Sequence, residues 1–278
     1  MKRIALFTMC WGAHIALLKK YLLPSMMQSG NIPKLLKEGY QVDWYIYSPE
    51  NTGLNDPMFH HIHNTSPDVN YGLVDFIANN LDAICITMMA DYFIGNGTIY
   101  NGIKMIENKE DHCLAVPHAR ISWEKVGDRV IGDKTNSELV AFAFDNAHKC
   151  LIEAEDCRNP NLTWTGLSWR KIDEHNYAVI HNLPTPFICQ FKAGDSDLFN
   201  KHNWGQFDRG FTQKLKNEGR IKVCGSSDLA FFVEFTPDKH SPQLRDGLVY
   251  NDTAQFEEAG SDYFNEVVCN WRRENGRT

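Results

Sequence analysis

A single acidic residue stands after a long apolar run, and a glycine-containing segment follows it. The run covers residues 83–89, the acidic residue is Asp91, and Gly95, Asn96 and Gly97 lead into a helical pattern. A carboxylate at the carboxyl end of a buried strand lies where open α/β sheets bind ligands. The carboxylate can hold a divalent cation, and N–H groups at a helix start can face a phosphate. The segment therefore favours a nucleotide-dependent enzyme, with Asp91, Asn96 and Gly97 as candidate cofactor-binding residues.

A second metal ligand is available in His181. It ends a predicted strand and precedes a proline-containing loop, which would fix the imidazole. Asp91 and His181 together could bind Mn²⁺ or Mg²⁺, with the phosphates of a ligand completing the coordination shell. The alternative is structural, because a single aspartate is often a helix N-cap and a histidine at a strand end is usually an ordinary hydrogen-bonded residue.

Further charged side chains suggest roles in transfer chemistry. Arg120, with His118 nearby, follows a predicted strand, and a guanidinium fork suits a pyrophosphate; the alternative is a surface salt bridge. Asp208, Asp228 and Glu234 are the candidates for a base that deprotonates an acceptor. Asp228 is favoured among them because it lies in a glycine- and serine-containing turn between two predicted strands.

The end of the first predicted strand offers a place for a nucleotide. Thr8, Trp11 and Gly12 lie there, where backbone groups can meet a base and an aromatic ring can stack on it. Taken alone, Trp11 is better explained as a core aromatic residue. Neither G-x-G-x-x-G nor G-x-x-x-x-G-K-[ST] follows the strand, which counts against dinucleotide oxidoreductases and P-loop NTPases.

Two further kinds of chemistry, zinc binding and nucleophilic hydrolysis, have weak support in the sequence. His60, His61 and His63 could bind zinc, but no cysteine or carboxylate follows at zinc-site spacing, so histidines in a surface loop are the favoured interpretation. The chain has no G-x-S-x-G elbow and no recognisable Cys/His signature. Hydrolases that use a serine or cysteine nucleophile are therefore disfavoured.

The cysteines and the apolar runs point to a reduced cytoplasmic protein. Four of the eight cysteines lie in or beside strand-like runs, and Cys150 and Cys157 are too far apart for a CxxC motif. Free cysteine is a common small core residue. No apolar run approaches the roughly 20 residues that span a bilayer.

The net charge of −7 gives no general attraction to nucleic acid or anionic membranes. Basic residues nevertheless cluster in two places, which could form an acceptor-binding face or be solvated surface. They are Lys214, Lys216, Arg220 and Lys222, and then Arg272, Arg273 and Arg277 near the end of the chain.

The apolar spacing predicts the elements that must position these side chains. Strands and helices alternate early in the chain, and β-forming and aromatic residues cluster later, which favours one α/β domain with a mixed sheet. Predicted strands cover 4–10, 41–48, 83–89, 114–116, 221–224 and 229–235, with two or three more within 162–172 and 177–192. Predicted helices cover 15–26, 73–81 and 99–106, and another begins at the capping-box pair Thr135 and Glu138. Residues 54–70 are a predicted loop.

With these residues in place, the chain resembles GT-A-type glycosyltransferases, specifically a divergent group of small bacterial and phage proteins. The matching segments together span most of positions 1–240. In chain order they are the first strand ending in Cys-Trp-Gly, LPSMMQSGNIP, ADYFIGNGT, PHARIS, the SELV helix start, the strand ending in His181 with LPTP, and GSSDLAFFVEFTP.

The resemblance implies a GT-A-like, Rossmann-type mixed sheet flanked by helices, with a nucleotide-sugar donor at the carboxyl ends of the first strands. It implies one domain over residues 1–278, in which about 1–120 bind the nucleotide sugar and about 121–250 bind the acceptor and complete the metal site. Residues 251–278 are then a C-terminal tail.

The metal site departs from the pattern that the resemblance implies. GT-A enzymes usually carry a D-x-D motif, whereas here Asp91 is followed by Tyr92 and Phe93. Either Asn96 or His181 fills the gap, or the dependence on metal is weakened.

The resemblance implies that Asp91 contacts the metal and the diphosphate, and that His181 is a late ligand. It also implies that Thr8 and Trp11 contact the nucleotide. The predicted function is therefore a glycosyltransferase that uses a nucleotide-diphosphate sugar, a UDP-sugar in this prediction, together with Mn²⁺ or Mg²⁺.

The predicted acceptor is a hydroxyl, either of a glycan or of a hydroxymethylated base in phage DNA. The alternative function is a non-catalytic nucleotide- or nucleic-acid-binding module that has lost its metal site. Inversion and retention of configuration both remain open at this point.

Overall fold

The computed structural model describes residues 2–65, 69–108, 112–116, 118–149, 151–153, 167–181, 186–197, 211–239 and 269–272. No helix in these segments is both long enough and apolar enough to cross a membrane.

The described segments contain strands that form three sheets. In chain order the strands are β1 (Arg3–Met9), β2 (Gln41–Ser48), β3 (Phe59–His63), β4 (Ile84–Met89), β5 (Tyr92–Ile94), β6 (Cys113–Ala115), β7 (Ala119–Ser122), β8 (Leu151–Glu153), β9 (Leu167–Lys171), β10 (Asn176–His181), β11 (Pro186–Gln190), β12 (Ile221–Val223), β13 (Phe232–Thr236) and β14 (Cys269–Arg272).

The largest sheet is mixed and has seven strands in the order β12-β6-β11-β4-β1-β2-β3. Strand β1 runs parallel to β2 and β4, and β2 runs parallel to β3. Strand β11 runs antiparallel to both β4 and β6. A three-stranded sheet has the order β5-β13-β7, and a four-stranded sheet has the order β14-β10-β9-β8. The prediction of a mixed α/β sheet is confirmed.

Helices accompany the sheets. They are α1 (Ala13–Leu17), which continues through a π-helical turn (Leu18–Leu22) into α2 (Leu23–Met26), then α3 (Ile32–Lys37), α4 (Val69–Ala78), α5 (Thr98–Ile106), α6 (Trp123–Val126), α7 (Asn136–Asp145) and α8 (Thr212–Asn217). The capping box predicted from Thr135 and Glu138 is present at the start of α7.

Strand β1 is buried from Ile4 onwards because helices cover both faces of the large sheet. Leu6 packs on one face in the same cluster as Ile103 of α5. Phe7 packs on the opposite face with Phe76 of α4 and Leu215 of α8. Burial on both faces explains why β1 appears in the sequence as a nearly continuous apolar run rather than an alternating one.

One element was predicted wrongly. The segment 54–70, predicted as a loop, contains β3, which pairs with β2 at the edge of the large sheet. The imidazole of His60 lies 3.2 Å from Asp43 Oδ1 and stacks on Tyr45, and His61 Nε2 lies 2.9 Å from Thr52 Oγ1. All three histidines are thus strand residues, and His60 and His61 have local partners. The polar residues of this segment do not show the apolar pattern of a strand, because the strand forms by pairing with β2.

Candidate functional site

The central parallel strands β1 and β4 bring the predicted site residues of two segments to the carboxyl-terminal end of the large sheet. Met9 of β1 and Met89 of β4 are register partners, so the residues that follow them leave the sheet side by side. Trp11 follows β1, and Asp91 follows β4. This is the edge at which open α/β sheets bind ligands.

Asp91 marks the point where the chain passes from the large sheet into the three-stranded sheet. Its backbone carbonyl accepts a hydrogen bond from Phe235 N at 2.9 Å. In the same sheet, Glu234 of β13 is the register partner of Tyr92 on one side and of Arg120 on the other. Three segments that are distant in sequence therefore meet at Asp91.

Glu234 is the centre of a hydrogen-bonded charge cluster. Arg120 Nη2 forms an ion pair with Glu234 Oε1 at 3.0 Å, and His118 Nε2 lies 3.1 Å from Glu234 Oε2. The His118 side chain is only 7% exposed, whereas Arg120 keeps 26% of its side-chain surface exposed. Arg120 is therefore the member of this cluster best placed to meet a ligand.

Aromatic rings hold the imidazole of the cluster in place. The ring of Phe232 stacks on His118, with centroids 4.6 Å apart and planes 12° apart. Tyr92 and Phe187 pack against Phe232 in turn, at centroid distances of 4.9 and 4.6 Å. This packing restricts His118 to an orientation in which it can bond to Glu234.

Asp91 has an oxygen that no described group satisfies. Its Oδ1 atom is buried and has no hydrogen-bond partner among the described residues. Burial, followed by the negative charge of Glu234, raises the pKa of Asp91 to about 8, although the charge of Arg120 opposes the shift. Without a bound cation, Asp91 therefore holds a proton at neutral pH.

Glu234 responds in the opposite direction. Burial alone would raise the pKa of its carboxyl, but the charge of Arg120 and the hydrogen bond from His118 outweigh burial and lower it. The pKa values of the two carboxyl groups therefore move in opposite directions, which leaves Glu234 ionised and Asp91 protonated.

The donor chemistry of Asp91 suits a hard divalent cation. Mg²⁺ and similar ions bind carboxylate oxygens, and a buried oxygen without a partner is one available ligand. No group of three or more His, Cys, Asp or Glu side chains in the described segments has the geometry of a metal site. The side chain of His181 lies outside what the structure describes, so its role as a ligand stays a prediction.

The start of α5, predicted to face a phosphate, is already occupied. Gly97 N and Ile99 N both donate to Asn31 Oδ1, at 3.0 and 3.1 Å, and Gly30 N donates to Asn96 Oδ1 at 2.7 Å. Asn31 is fully buried. In this structure Asn96 and Gly97 join α5 to the turn before α3, and their amide groups are not directed at a ligand site.

Of the three candidates at the end of β1, one is buried in the core and two are accessible. Thr8 is fully buried, and its hydroxyl accepts a hydrogen bond from Trp44 Nε1 at 2.9 Å, so its side chain does not reach a ligand here. Trp11 is half-buried and Gly12 is exposed, with Gly12 N donating to Glu50 Oε1 at 2.9 Å. Trp11 and Gly12 are the two that remain accessible.

Asp228, the favoured base, is not brought to Asp91. It is exposed and precedes β13, whereas Asp91 bonds to the backbone at Phe235, near the other end of that strand. Asp208 lies outside the described residues. Glu234, the third candidate, precedes Phe235, whose N–H donates to the Asp91 carbonyl, so its backbone lies next to that of Asp91.

One sequence signal pointed to Glu234. It lies within an otherwise apolar segment, Phe232–Thr236, and a charged residue inside a buried strand requires a partner. Its partners, Arg120 and His118, come from a segment that only the sheet pairing brings close.

Two residues of the basic stretch predicted as an acceptor face, Lys214 and Arg220, form ion pairs in the structure. Lys214 Nζ and Arg220 Nη2 each lie within 3 Å of the fully buried Asp195, at 2.8 and 2.9 Å. Arg220 also pairs with Glu218 at 2.8 Å. These cations fix α8 against the segment that follows β11.

The chain was also compared with known proteins. No model of a known protein family matches it, and no curated protein does. Among solved structures, it is similar to S. aureus TarS 1–349, with 12% sequence identity and a TM-score of 0.46 over 84% of this chain and 60% of that one. A structure of S. aureus TarS shows 10% identity and a TM-score of 0.43, over 85% and 37% of the two chains. The chain thus spans less than two thirds of the length of either.

Proposed function

We propose that this chain is a glycosyltransferase of the GT-A type that moves a sugar from a nucleotide-diphosphate sugar, a UDP-sugar in our proposal, to a hydroxyl acceptor. The observation that supports this function is the buried carboxyl of Asp91 at the carboxyl end of β4. One of its oxygens has no partner among the described residues, and the positive charge of Arg120 acts on it. A cation-binding oxygen and a guanidinium at this edge of a sheet suit a diphosphate.

The proposal gives each of these candidate residues a role. Trp11 and Gly12 contact the base of the nucleotide, and Asp91 holds Mn²⁺ or Mg²⁺, with His181 as a further predicted ligand. When bound, the ion acts as a Lewis acid that offsets the charge on the departing diphosphate. Arg120 adds positive charge at the same place, and Glu234 fixes its orientation.

The acceptor in this proposal is a hydroxyl of a glycan. A DNA acceptor would need unpaired cations to contact the phosphate backbone. Lys214 and Arg220 are instead bound to Asp195, so DNA is the less favoured acceptor. Asp208 is the base that we propose if the reaction inverts configuration, since Asp228 lies at the other end of β13 from Asp91.

The test combines nucleotide binding with transfer. UDP at about 100 times its dissociation constant should stabilise the protein by roughly 2.7 kcal/mol, measured by thermal shift with and without Mn²⁺. Incubation with a panel of nucleotide sugars and acceptors, including glycans and hydroxymethylated DNA, should release UDP and give a glycosylated product detectable by mass.

Asp91→Asn provides the matched variant. It should remain folded but lose the Mn²⁺-dependent part of UDP binding, whereas Asp228→Asn should behave as wild type in that assay. The absence of a shift with every nucleoside diphosphate would contradict the transferase. Binding without any turnover would instead support a non-catalytic nucleotide-binding module.

A further inference from the structure

Three cysteines lie side by side across neighbouring strands of the large sheet. Cys189 of β11 is the register partner of Cys113 in β6 on one side and of Cys85 in β4 on the other. All three are free thiols, buried in the same apolar cluster. We propose that Cys113 and Cys189 form a disulfide between β6 and β11 when the protein meets a peroxide. This modification site is independent of the proposed function.

The backbone hydrogen bonds identify Cys113 and Cys189 as a close pair. Opposite residues of an antiparallel ladder alternate between hydrogen-bonded and non-hydrogen-bonded pairs, with Cα atoms about 5.5 and 4.5 Å apart, respectively. Gln190 N donates to His112 O at 2.9 Å, so the adjacent pair, Cys113 and Cys189, is of the non-hydrogen-bonded kind. The Cys113 N–H accordingly points away from β11 and donates to Arg220 O at 2.7 Å.

The geometry of this pair suits a disulfide. Bridged cysteines have Cα atoms about 4.4–6.8 Å apart, a range that includes the spacing of a non-hydrogen-bonded pair. The two thiols also interact: burial, followed by a hydrogen bond with the Cys113 thiol, raises the pKa of Cys189. The bond can therefore form with little movement of either strand.

Cys85 is the less suitable partner for Cys189. Because the N–H of Gln190 is directed to β6, that of Cys189 is directed to β4, which makes Cys85 and Cys189 a hydrogen-bonded pair with the wider spacing. The Cys85 thiol also donates to the carbonyl oxygens of Asn80 and Ala83, at 3.5 and 3.8 Å. It is thus turned towards the segment before β4.

Hydrogen peroxide supplies the oxidant, and the reaction balances within the pair. One sulfur, as its thiolate, attacks a peroxide oxygen and becomes a sulfenic acid; the O–O bond breaks, and the departing hydroxide takes up a proton and leaves as water. The second thiol attacks the sulfenic sulfur, and its proton leaves with the hydroxyl group as a second water. The two sulfurs lose two electrons, and the peroxide is reduced to water.

The rate of this oxidation depends on how much thiolate is present. Burial raises the pKa of Cys189, so the reaction should be slow at neutral pH and faster in alkaline solution. The register of β6 and β11 decides which cysteines become linked, whereas the thiolate fraction and opening of the strands decide how fast.

The disulfide would constrain a part of the chain that includes the candidate site. The loop that it closes contains β7, with Arg120, and α7. A cross-link that closes a long loop restricts the unfolded chain. Oxidation should therefore raise the urea concentration at which the protein unfolds, and dithiothreitol should reverse the change.

The experiment is oxidation of the full folded chain by hydrogen peroxide at mildly alkaline pH, followed by alkylation of the remaining thiols in urea, trypsin digestion and mass spectrometry. Cys85, Cys113 and Cys189 lie on three different tryptic peptides, residues 38–104, 110–120 and 172–192. We expect the second and third peptides to be linked, at their summed mass less two hydrogen atoms. Dithiothreitol should separate them.

Two variants make the result specific. Cys113→Ala should lose the link, whereas Cys85→Ala, the matched control on the other side of Cys189, should keep it. Wild type oxidised in urea, where the strand register is absent, should give several different links, and this comparison decides the matter even if Cys113→Ala does not fold. The proposal would be overturned if Cys113 and Cys189 stay reduced in the folded chain after a peroxide treatment that links the unfolded one. A predominant link between Cys85 and Cys189 would overturn it equally.

Discussion

At the scale of single residues, the chemistry of this chain depends on how neighbours change a carboxyl group. Asp91 is one aspartate in a sequence with many acidic residues, and its local context predicted a ligand-binding role. Its unusual protonation arises from burial and from Glu234, which belongs to another segment. The protonation state of Asp91 therefore depends on Glu234 as well as on the burial of Asp91 itself.

The raised pKa of Asp91 predicts a pH-dependent stability. The folded protein keeps a proton on Asp91 up to a pKa of about 8, whereas the unfolded chain loses it near the ordinary value of 3.8. Because the folded state binds more protons in this range, the contribution to stability is full below pH 4 and is lost as the pH rises towards 8.

Asp91→Asn should remove this dependence. We expect the free energy of unfolding to fall between pH 5 and pH 8 by about 1–3 kcal/mol more in wild type than in the variant, measured by urea denaturation in EDTA. Asp228→Asn, at an exposed carboxylate, should retain the wild-type slope. Equal slopes in wild type and Asp91→Asn would contradict the protonated state of Asp91.

At the scale of elements, contacts between elements decide which backbone groups are available to a ligand. The glycine-containing start of α5 has the composition of a phosphate site, yet Asn31 reaches it from the turn before α3. Its carboxamide accepts two hydrogen bonds from the start of α5 and donates to the carbonyls of Ser25 and Gly95. Asn31 thereby joins the start of α5 to α2 and to the turn before α3.

Asn31→Ala should destabilise the fold. It leaves buried N–H and C=O groups without partners, and we expect a loss of about 2–3 kcal/mol in the free energy of unfolding by urea denaturation. Asn79→Ala, at an exposed position near the end of α4, should cost less than about 0.5 kcal/mol. A similar small cost at Asn31 would show that α5 does not depend on this contact.

At the scale of the whole molecule, buried ion pairs connect the later part of the chain to the large sheet. The fully buried Asp195 follows β11 and binds Lys214 of α8 and Arg220 before β12. Burial would raise the pKa of Asp195, but the hydrogen bonds from Arg220 and Lys214 outweigh burial and lower it.

Asp195→Asn should therefore weaken the fold at neutral pH, by about 1–3 kcal/mol, because it removes the buried carboxylate that Lys214 and Arg220 share and leaves Arg220 only its pair with Glu218. Since the folded pKa of Asp195 lies below the unfolded one, its stabilising contribution is present above the unfolded pKa and is lost as the pH falls through the folded pKa. Urea denaturation should show wild type and Asp195→Asn converging as the solution becomes more acidic. A constant difference down to strongly acidic pH would contradict this role.

The sequence by itself determined the elements whose patterns are local. The apolar runs of β1 and β4, the spacing of Ile99, Ile103 and Ile106 in α5, and the capping box of α7 are each contained within a few residues. Backbone preference and burial act on them directly, and the structure contains all four elements near the predicted bounds.

Only the tertiary structure decided what surrounds Asp91. The sequence placed Asp91 at a ligand-binding edge, but the pairing of β5 with β13 and of β13 with β7 brought Glu234 and Arg120 to it. Other long-range contacts pair the histidine segment with β2 and bring Asn31 to the start of α5. Pairing between distant segments depends on the shape and burial of the whole chain, and no spacing along the sequence records which carboxylate will lie beside another.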